Sequence, residues 1–360
     1  MPASPKTTSA GNWPTLSRPS SEMTLYPWQQ ALWLRIVNMR DRMPHALLLQ
    51  GRAGIGKLDF ARALAAALLC ERPSAEGLAC GNCHSCNFLA QGNHPDFRFL
   101  EPEEIAGAGD AEEGAVAAKG GRKTQISVDQ VRDLSEFISL SSHRAGLRIV
   151  LLQPAESLNM ASANALLKML EEPPPGVMFI LVSSQPQRLL PTIRSRCSKI
   201  DMPVPGRAEA EAWLSNRGVA AAGEALSYFG GAPLLAEAAD AGEAHLRSET
   251  CRLLSRGGDI DAMQVASRLM RTGMQQAIDQ LQKWICDLLS SRLGGEVCYH
   301  PASRQSLQVL AEAVDLRLLL EYQNKLNESR RYAQHPLNAE LQLESLMFQY
   351  SQLFTVVTKS

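Results

Sequence analysis

Two groups of residues in this chain have types and spacings that could do chemistry. Gly51-Arg52-Ala53-Gly54-Ile55-Gly56-Lys57 has the spacing G-x-x-x-x-G-K. Glycines at those places let the backbone wrap a phosphate, with amides turned inward and a helix N-terminus and Lys57 supplying positive potential. The plain alternative is a glycine turn with a surface lysine; the strand-like run before it and the helical run after it argue against that. The residue after the lysine should be Ser or Thr, whose hydroxyl ligates magnesium, and here it is Leu58. A second magnesium ligand and a water-polarising carboxylate are expected at the end of a later strand, but residues 148–152 continue into Gln153-Pro154-Ala155-Glu156. Gln153 is neutral, Pro154 carries no functional group, and Glu156 comes about a helical turn late. The sequence therefore predicts a phosphate loop that can hold ATP but does not hydrolyse it, because charge stabilisation is most of what phosphoryl transfer requires.

Cys70, Cys80, Cys83 and Cys86 form C-x9-C-x2-C-x2-C. A tight knuckle turns three thiolates toward one centre and Cys70 closes the tetrahedron, a set that suits Zn²⁺ and leaves no open position for catalysis. Incidental buried thiols, an iron–sulfur cluster, or a ligand drawn from His84 or His94 are the alternatives. Zinc on this reading is structural and staples the loop after Cys70 to the helix that begins at the phosphate loop.

These residues need elements to hold them. Residues 1–23 are rich in Pro, Ser and Thr and read as a mobile tail. Apolar runs at 45–50, 148–152 and 177–182 read as buried strands, a last strand is expected at 198–202, and helical spacing appears at 32–37, 58–69, 131–137 and 162–170. Ser127 or Asp129 is placed to cap the third of these helices, and Pro173-Pro174-Pro175 halts the fourth. Residues 101–124 read as a flexible Gly/Ala/Glu-rich insertion. Strands alternating with helices through residue 204 predict an α/β domain with a parallel sheet. Beyond Pro205 only helical periodicity remains, with breaks at 203–206 and 240–242.

The chain has 360 residues, 36 Lys+Arg against 37 Asp+Glu, and eight cysteines. A net charge of -1 supplies no global field for nucleic acid, so any DNA contact must be local or through partners. No apolar run approaches the roughly 20 residues that span a bilayer. The N-terminus has no apolar signal core and the cysteines do not form a disulfide scaffold, so a cytoplasmic setting is expected. The five tryptophans are dispersed, as anchors would be, and form no base-stacking platform.

The order of phosphate loop, four-cysteine knuckle, Asn93-His94-Pro95-Asp96, SANALLKMLEEPP at 162–174 and TIRSRC at 192–197 resembles the bacterial clamp-loader subunits of DNA polymerase III. The degenerate nucleotide site is similar to that of the delta-prime branch and unlike the ATP-hydrolysing gamma/tau branch. The resemblance runs from about residue 25, dense over 45–200 and thinner afterwards, where 337–346 is the best fragment. It implies an AAA+ module over 24–204, with the zinc knuckle at 70–86, then a helical lid at 205–241 and an all-α collar at 242–360 through which a ring assembles. Implied partners are gamma/tau and delta subunits, with the sliding clamp and primer–template DNA reached through the complex. The chain would be the ring's non-hydrolysing stator and part of the DNA-directed DNA polymerase (nucleotidyltransferase) holoenzyme. Ser195-Arg196-Cys197 matches the SRC motif, making Arg196 an arginine finger for a neighbouring ATP site. Ser183-Ser184 fall at the sensor-1 position, and Gly230-Gly231-Ala232-Pro233 resembles the turn before a sensor-2 helix with no arginine close behind it.

Two other readings compete. An active ATPase of the gamma/tau type is disfavoured by Leu58 and Gln153. A P-loop nucleotide kinase would need lid arginines among Arg122, Arg132, Arg144 and Arg148, which show no pattern.

Overall fold

The structure, a computed structural model, describes residues 25–103, 125–139, 146–239, 241–332 and 339–354. The expected tail at 1–23 and nearly all of the expected insertion at 101–124 lie outside these residues, as do Arg122 and Arg144. The chain divides into two compact units, Met1–Pro205 and Gly206–Ser360.

The first unit is built on five strands, β1 (Ala46–Gln50), β2 (Phe97–Leu100), β3 (Arg148–Leu152), β4 (Val177–Ser183) and β5 (Ser198–Asp201). Their order is β2-β3-β4-β1-β5 and every pairing is parallel, as predicted for an α/β domain. The uninterrupted apolar runs follow from cover on both faces. Leu47 and Leu49 join one core, with Phe60 and Leu64 of the helix after the phosphate loop. Ala46 and Leu48 join the other, with Val131, Leu134 and Leu166. Among the described residues the helices of this unit are α1 (Gln30–Val37), α2 (Lys57–Leu69), α3 (His84–Ala90), α4 (Val128–Ser139) and α5 (Met160–Glu171), and a short α6 (Pro191–Arg196) precedes β5.

Helix α2 is buried at every position from Phe60 to Leu69, as its all-round Ala and Leu content requires. Of the two residues placed to cap α4, Ser127 makes the bond: its Oγ accepts from the Gln130 amide at 3.2 Å and Gln130 Oε1 accepts from the Ser127 amide at 2.9 Å, a reciprocal capping box. The sequence did not reveal β2 or α3.

The second unit is helical, with no strand among its described residues. Helices α7 (Arg207–Asn216), α8 (Ala222–Tyr228) and α9 (Pro233–Ala238) share a small core of Ala210, Leu214, Ala222, Leu226 and Ala236. Helices α10 (Ala241–Leu254), α11 (Ala262–Met270), α12 (Met274–Arg292), α13 (Arg304–Ala313), α14 (Leu316–Tyr332) and α15 (Ala339–Gln352) share a larger one. There Trp284 Nε1 donates to the Tyr350 hydroxyl at 2.9 Å, and that hydroxyl donates to the Leu254 carbonyl at 2.8 Å, tying α12, α15 and α10 together. Asp287 is fully buried and accepts from the amides of Cys298, Tyr299 and His300 and from His300 Nδ1, which fixes the loop after α12. No described helix is long and apolar enough to cross a membrane.

Candidate functional site

The phosphate loop leaves β1, an inner strand flanked by β4 and β5. Gly56 sits at the N-terminal cap of α2 with φ +83°, and a Cβ there would lie 2.4 Å from the Tyr26 ring, so only glycine fits. Residues just before α1 brace the loop from behind. Trp28 Nε1 donates to the Ile55 carbonyl at 3.0 Å, and Gln29 Nε2 donates to the Ile55 and Gly56 carbonyls at 3.0 and 2.9 Å. The Tyr26 ring stacks on Trp28, and its hydroxyl donates to Asp59 at 2.9 Å.

Lys57 does not reach into solvent. It is buried, and its Nζ donates to the Arg52 carbonyl of its own loop at 2.5 Å. Burial pulls its pKa down to about 8, opposed by the Glu156 carboxylate. Leu58, where a magnesium-binding hydroxyl was sought, packs against the core beneath the loop. Beyond β3, Gln153 offers no carboxylate. Glu156 nevertheless turns back across the sheet edge: its Oε1 accepts from the Ser184 amide at 3.1 Å, just past β4, while its other oxygen is buried without a partner among the described residues. Glu156 lies about a helical turn too far along the chain for a strand-end ligand, but a short helical turn at Ala155–Ser157 brings it into the field of Lys57.

Cys70 follows the far end of α2, about 20 Å from the phosphate loop by helix rise. Its thiol and those of Cys80, Cys83 and Cys86 lie within 4.8 Å of one another. Cys70 and Cys83 are 3.9 Å apart and Cys80 and Cys86 are 4.0 Å apart. A tetrahedral zinc with Zn–S bonds of about 2.3 Å has edges of about 3.8 Å, so the four donors fit a metal of that size. Backbone amides of Cys80 and Cys86 donate to the Cys70 and Cys83 sulfurs, as a folded knuckle requires. The Asn82 and Cys83 amides draw the Cys80 thiol down to about 6, while burial raises Cys70 and Cys86. His84 and His94 are not in the cluster. His94 Nε2 instead pairs with Ser85 Oγ at 3.1 Å and its Nδ1 accepts from the Asp96 amide at 3.0 Å, pinning α3 to the start of β2.

Arg196 ends α6. Its Nη1 donates to the Thr192 carbonyl at 3.2 Å and its Nη2 pairs with Glu171 at 2.5 Å, with about a third of the side chain exposed. Ser195 Oγ donates to the same Thr192 carbonyl, and Cys197 is a core thiol raised to about 11 by burial. Of the polar residues of the 162–174 segment, Asn164, Lys168, Glu171 and Glu172 are exposed, as their spacing predicts. Arg148 is no lid arginine: it is buried beside Asp96 and donates to the Phe137 and Ile138 carbonyls at the end of α4. Sequence reasoning missed the Tyr26–Trp28–Gln29 brace and the Glu171 partner; the aromatic pair ahead of the first helix was the one available signal for the brace.

Two family profiles match this chain, one described as DNA polymerase III, delta subunit, over residues 29–205 and one as DNA polymerase III, delta subunit, C terminal, over residues 242–352. A DNA polymerase III subunit delta' from Pseudomonas aeruginosa is 37% identical, over 91% of this chain and 98% of the relative. The Yersinia pestis subunit delta' is 33% identical over 86% of this chain and 89% of its own length. A subunit tau from Salmonella typhimurium is 35% identical over 43% of this chain and 21% of its own. Among solved structures, a DNA polymerase III gamma subunit-related protein from Thermotoga maritima aligns with a TM-score of 0.48 and 16% identity, covering 90% of this chain and 99% of that one.

Proposed function

This chain belongs to the DNA polymerase III delta' family, and we propose that it serves in the clamp loader of that polymerase as a subunit that does not itself hydrolyse ATP. The observation that carries the proposal is Leu58, whose side chain is spent on core packing at the position from which a hydroxyl would grip magnesium. Gln153 at the end of β3 and the turn of Lys57 onto its own loop point the same way. Gly51, Gly54, Gly56 and Lys57 keep a cradle that can bind ATP without turnover. The parallel sheet order and the loop after its inner strand support the AAA+ class, and the separate small core of α7–α9 supports a lid at 205–241 ahead of a collar at 242–360.

The chain's contribution to ATP chemistry is made in trans on this reading. Arg196, presented at the end of α6 with Ser195 and Cys197 fixing its helix, inserts a guanidinium beside the γ-phosphate held by a neighbouring gamma/tau subunit. Such fingers neutralise charge that develops in the transition state and are worth about 10³ to 10⁵ in rate. The four cysteines hold a structural Zn²⁺, which supplies cross-linking and no reactive position because all its ligands are protein thiolates. The delta subunit completes the hetero-oligomeric ring. The sliding clamp and primer–template DNA are engaged by the whole assembly in the cytoplasm, as part of the DNA-directed DNA polymerase holoenzyme.

Reconstitution with gamma/tau and delta tests the proposal. The isolated chain should show no ATP turnover, and the complex should show turnover stimulated by clamp and primed DNA. Arg196→Ala should assemble normally and lose about 10²-fold or more of the turnover at the neighbouring site. Robust hydrolysis by the chain alone, or full activity in the Arg196→Ala complex, would contradict it.

A further inference from the structure

We propose that Glu171 is a positioning residue for Arg196, holding its guanidinium in the orientation from which it engages phosphate; the inference rests on the finger reading above. Two bonds from two different elements fix the arginine. Its Nη1 is held by the Thr192 carbonyl one turn back in α6, at 3.2 Å, and its Nη2 by the Glu171 carboxylate at the C-terminal end of α5, at 2.5 Å. A guanidinium carries five N–H donors, so two fixed contacts leave three for an incoming anion. Both backbones are themselves anchored. Asn159 caps α5 through the Ser162 amide, and Leu166 and Leu170 bury its inner face; Ile193 and Cys197 bury the ends of α6.

Burial and charge argue that this pair is not there for stability. The side chains of Arg196 and Glu171 are 36% and 42% exposed. A pair so open to water contributes little to folding and is screened by salt. What it does supply is order in a long, rotamer-rich side chain before a partner arrives, and an ordered finger has less freedom to lose when it binds. Glu171 makes this contact across two helices even though Lys168 lies one turn away on its own. A weak, solvated carboxylate is also a suitable holder, because a phosphate of higher charge can share or take over the donors without an expensive separation.

The experiment uses the complex reconstituted with gamma/tau, delta, clamp and primed DNA, and compares Glu171→Gln, Arg196→Ala and the double variant. Glu171→Gln should lower kcat for ATP about 3- to 10-fold and leave KM for ATP within about twofold, since a finger acts in the transition state. The deficit should shrink as ionic strength is raised in both complexes. In the Arg196→Ala background, Glu171→Gln should have no further effect. An unchanged or increased kcat in Glu171→Gln, alongside a clear loss in Arg196→Ala, overturns the positioning role and leaves the finger standing. A further loss in the double variant assigns Glu171 a separate structural role and overturns it too. No loss in Arg196→Ala removes the finger reading, and this inference with it.

Discussion

Replacing Lys57 with methionine should make the protein more stable near neutral pH and should do so only below the alkaline range. The lysine is buried, and its pKa falls from 10.5 to about 8 because burial outweighs the attraction of Glu156. A drop of about 2.5 units at 1.36 kcal/mol each means that keeping the charge inside costs about 3 kcal/mol. Methionine keeps an unbranched stem of similar length and removes that cost, while forfeiting a hydrogen bond to the Arg52 carbonyl worth about 1 kcal/mol. The variant should therefore gain about 2 kcal/mol near pH 7. The sign with pH is fixed by linkage: between about 8 and 10.5 the unfolded chain binds the proton and the folded one does not, so wild-type stability rises with pH across that window. Near pH 9.5 the wild type should have recovered about 2 kcal/mol, closing the gap. Urea unfolding of both proteins in parallel at the two pH values gives the numbers. A variant less stable than wild type near pH 7, or a gap equal at both values, would refute the idea that the loop holds a desolvated charge.

Two further outcomes are open to measurement. Elemental analysis of protein purified under reducing, chelator-free conditions should return about one zinc per chain, and Cys83→Ala should lose the metal and about 3 kcal/mol or more of stability in the first unit; less than half an equivalent of zinc in the wild type counts against the four-thiolate site. Asp287→Ala should cost about 3 to 5 kcal/mol because three backbone amides and His300 lose their acceptor. Burial works against the Asp287 charge, but the His300 bond and the Tyr299 and Cys298 amides prevail and hold its pKa below the usual carboxylate range. Its contribution is therefore complete above about pH 4 and fades as acid drives the pH through the lower native value, so the difference between wild type and variant should narrow only there. A constant difference through acid unfolding would show that the carboxylate is not ionised in the fold.

Much of the first unit was legible because its signals are local. Three strands, β1, β3 and β4, are nearly continuous apolar runs bounded by glycines and prolines, and α2 announces itself by Ala and Leu on every face. Strand β2 escaped notice because Phe97–Leu100 is four residues long and carries an arginine in the middle; its identity comes from pairing with β3, which no local pattern records. Helix α3 was hidden within the knuckle, where Cys and His positions obscure a short apolar face. The four thiols converge because spacing constrains a short loop, so their meeting was readable in advance. Glu156 was not, because its proximity to Lys57 depends on a turn that folds it across two strands. The pairing of Arg196 with Glu171 joins residues 25 positions apart through the packing of α5 on α6 and left no trace in the spacing.

The brace behind the phosphate loop also aims the loop's amides. A peptide unit is planar, so pinning the Ile55 and Gly56 carbonyls from outside also aims the following amides, those of Gly56 and Lys57, the opposite way. The hollow is thus moulded by residues upstream of β1 and not by whatever might fill it. Occupancy should register as heat released on titration, with scarcely any change in how firmly the loop resists hydrogen exchange.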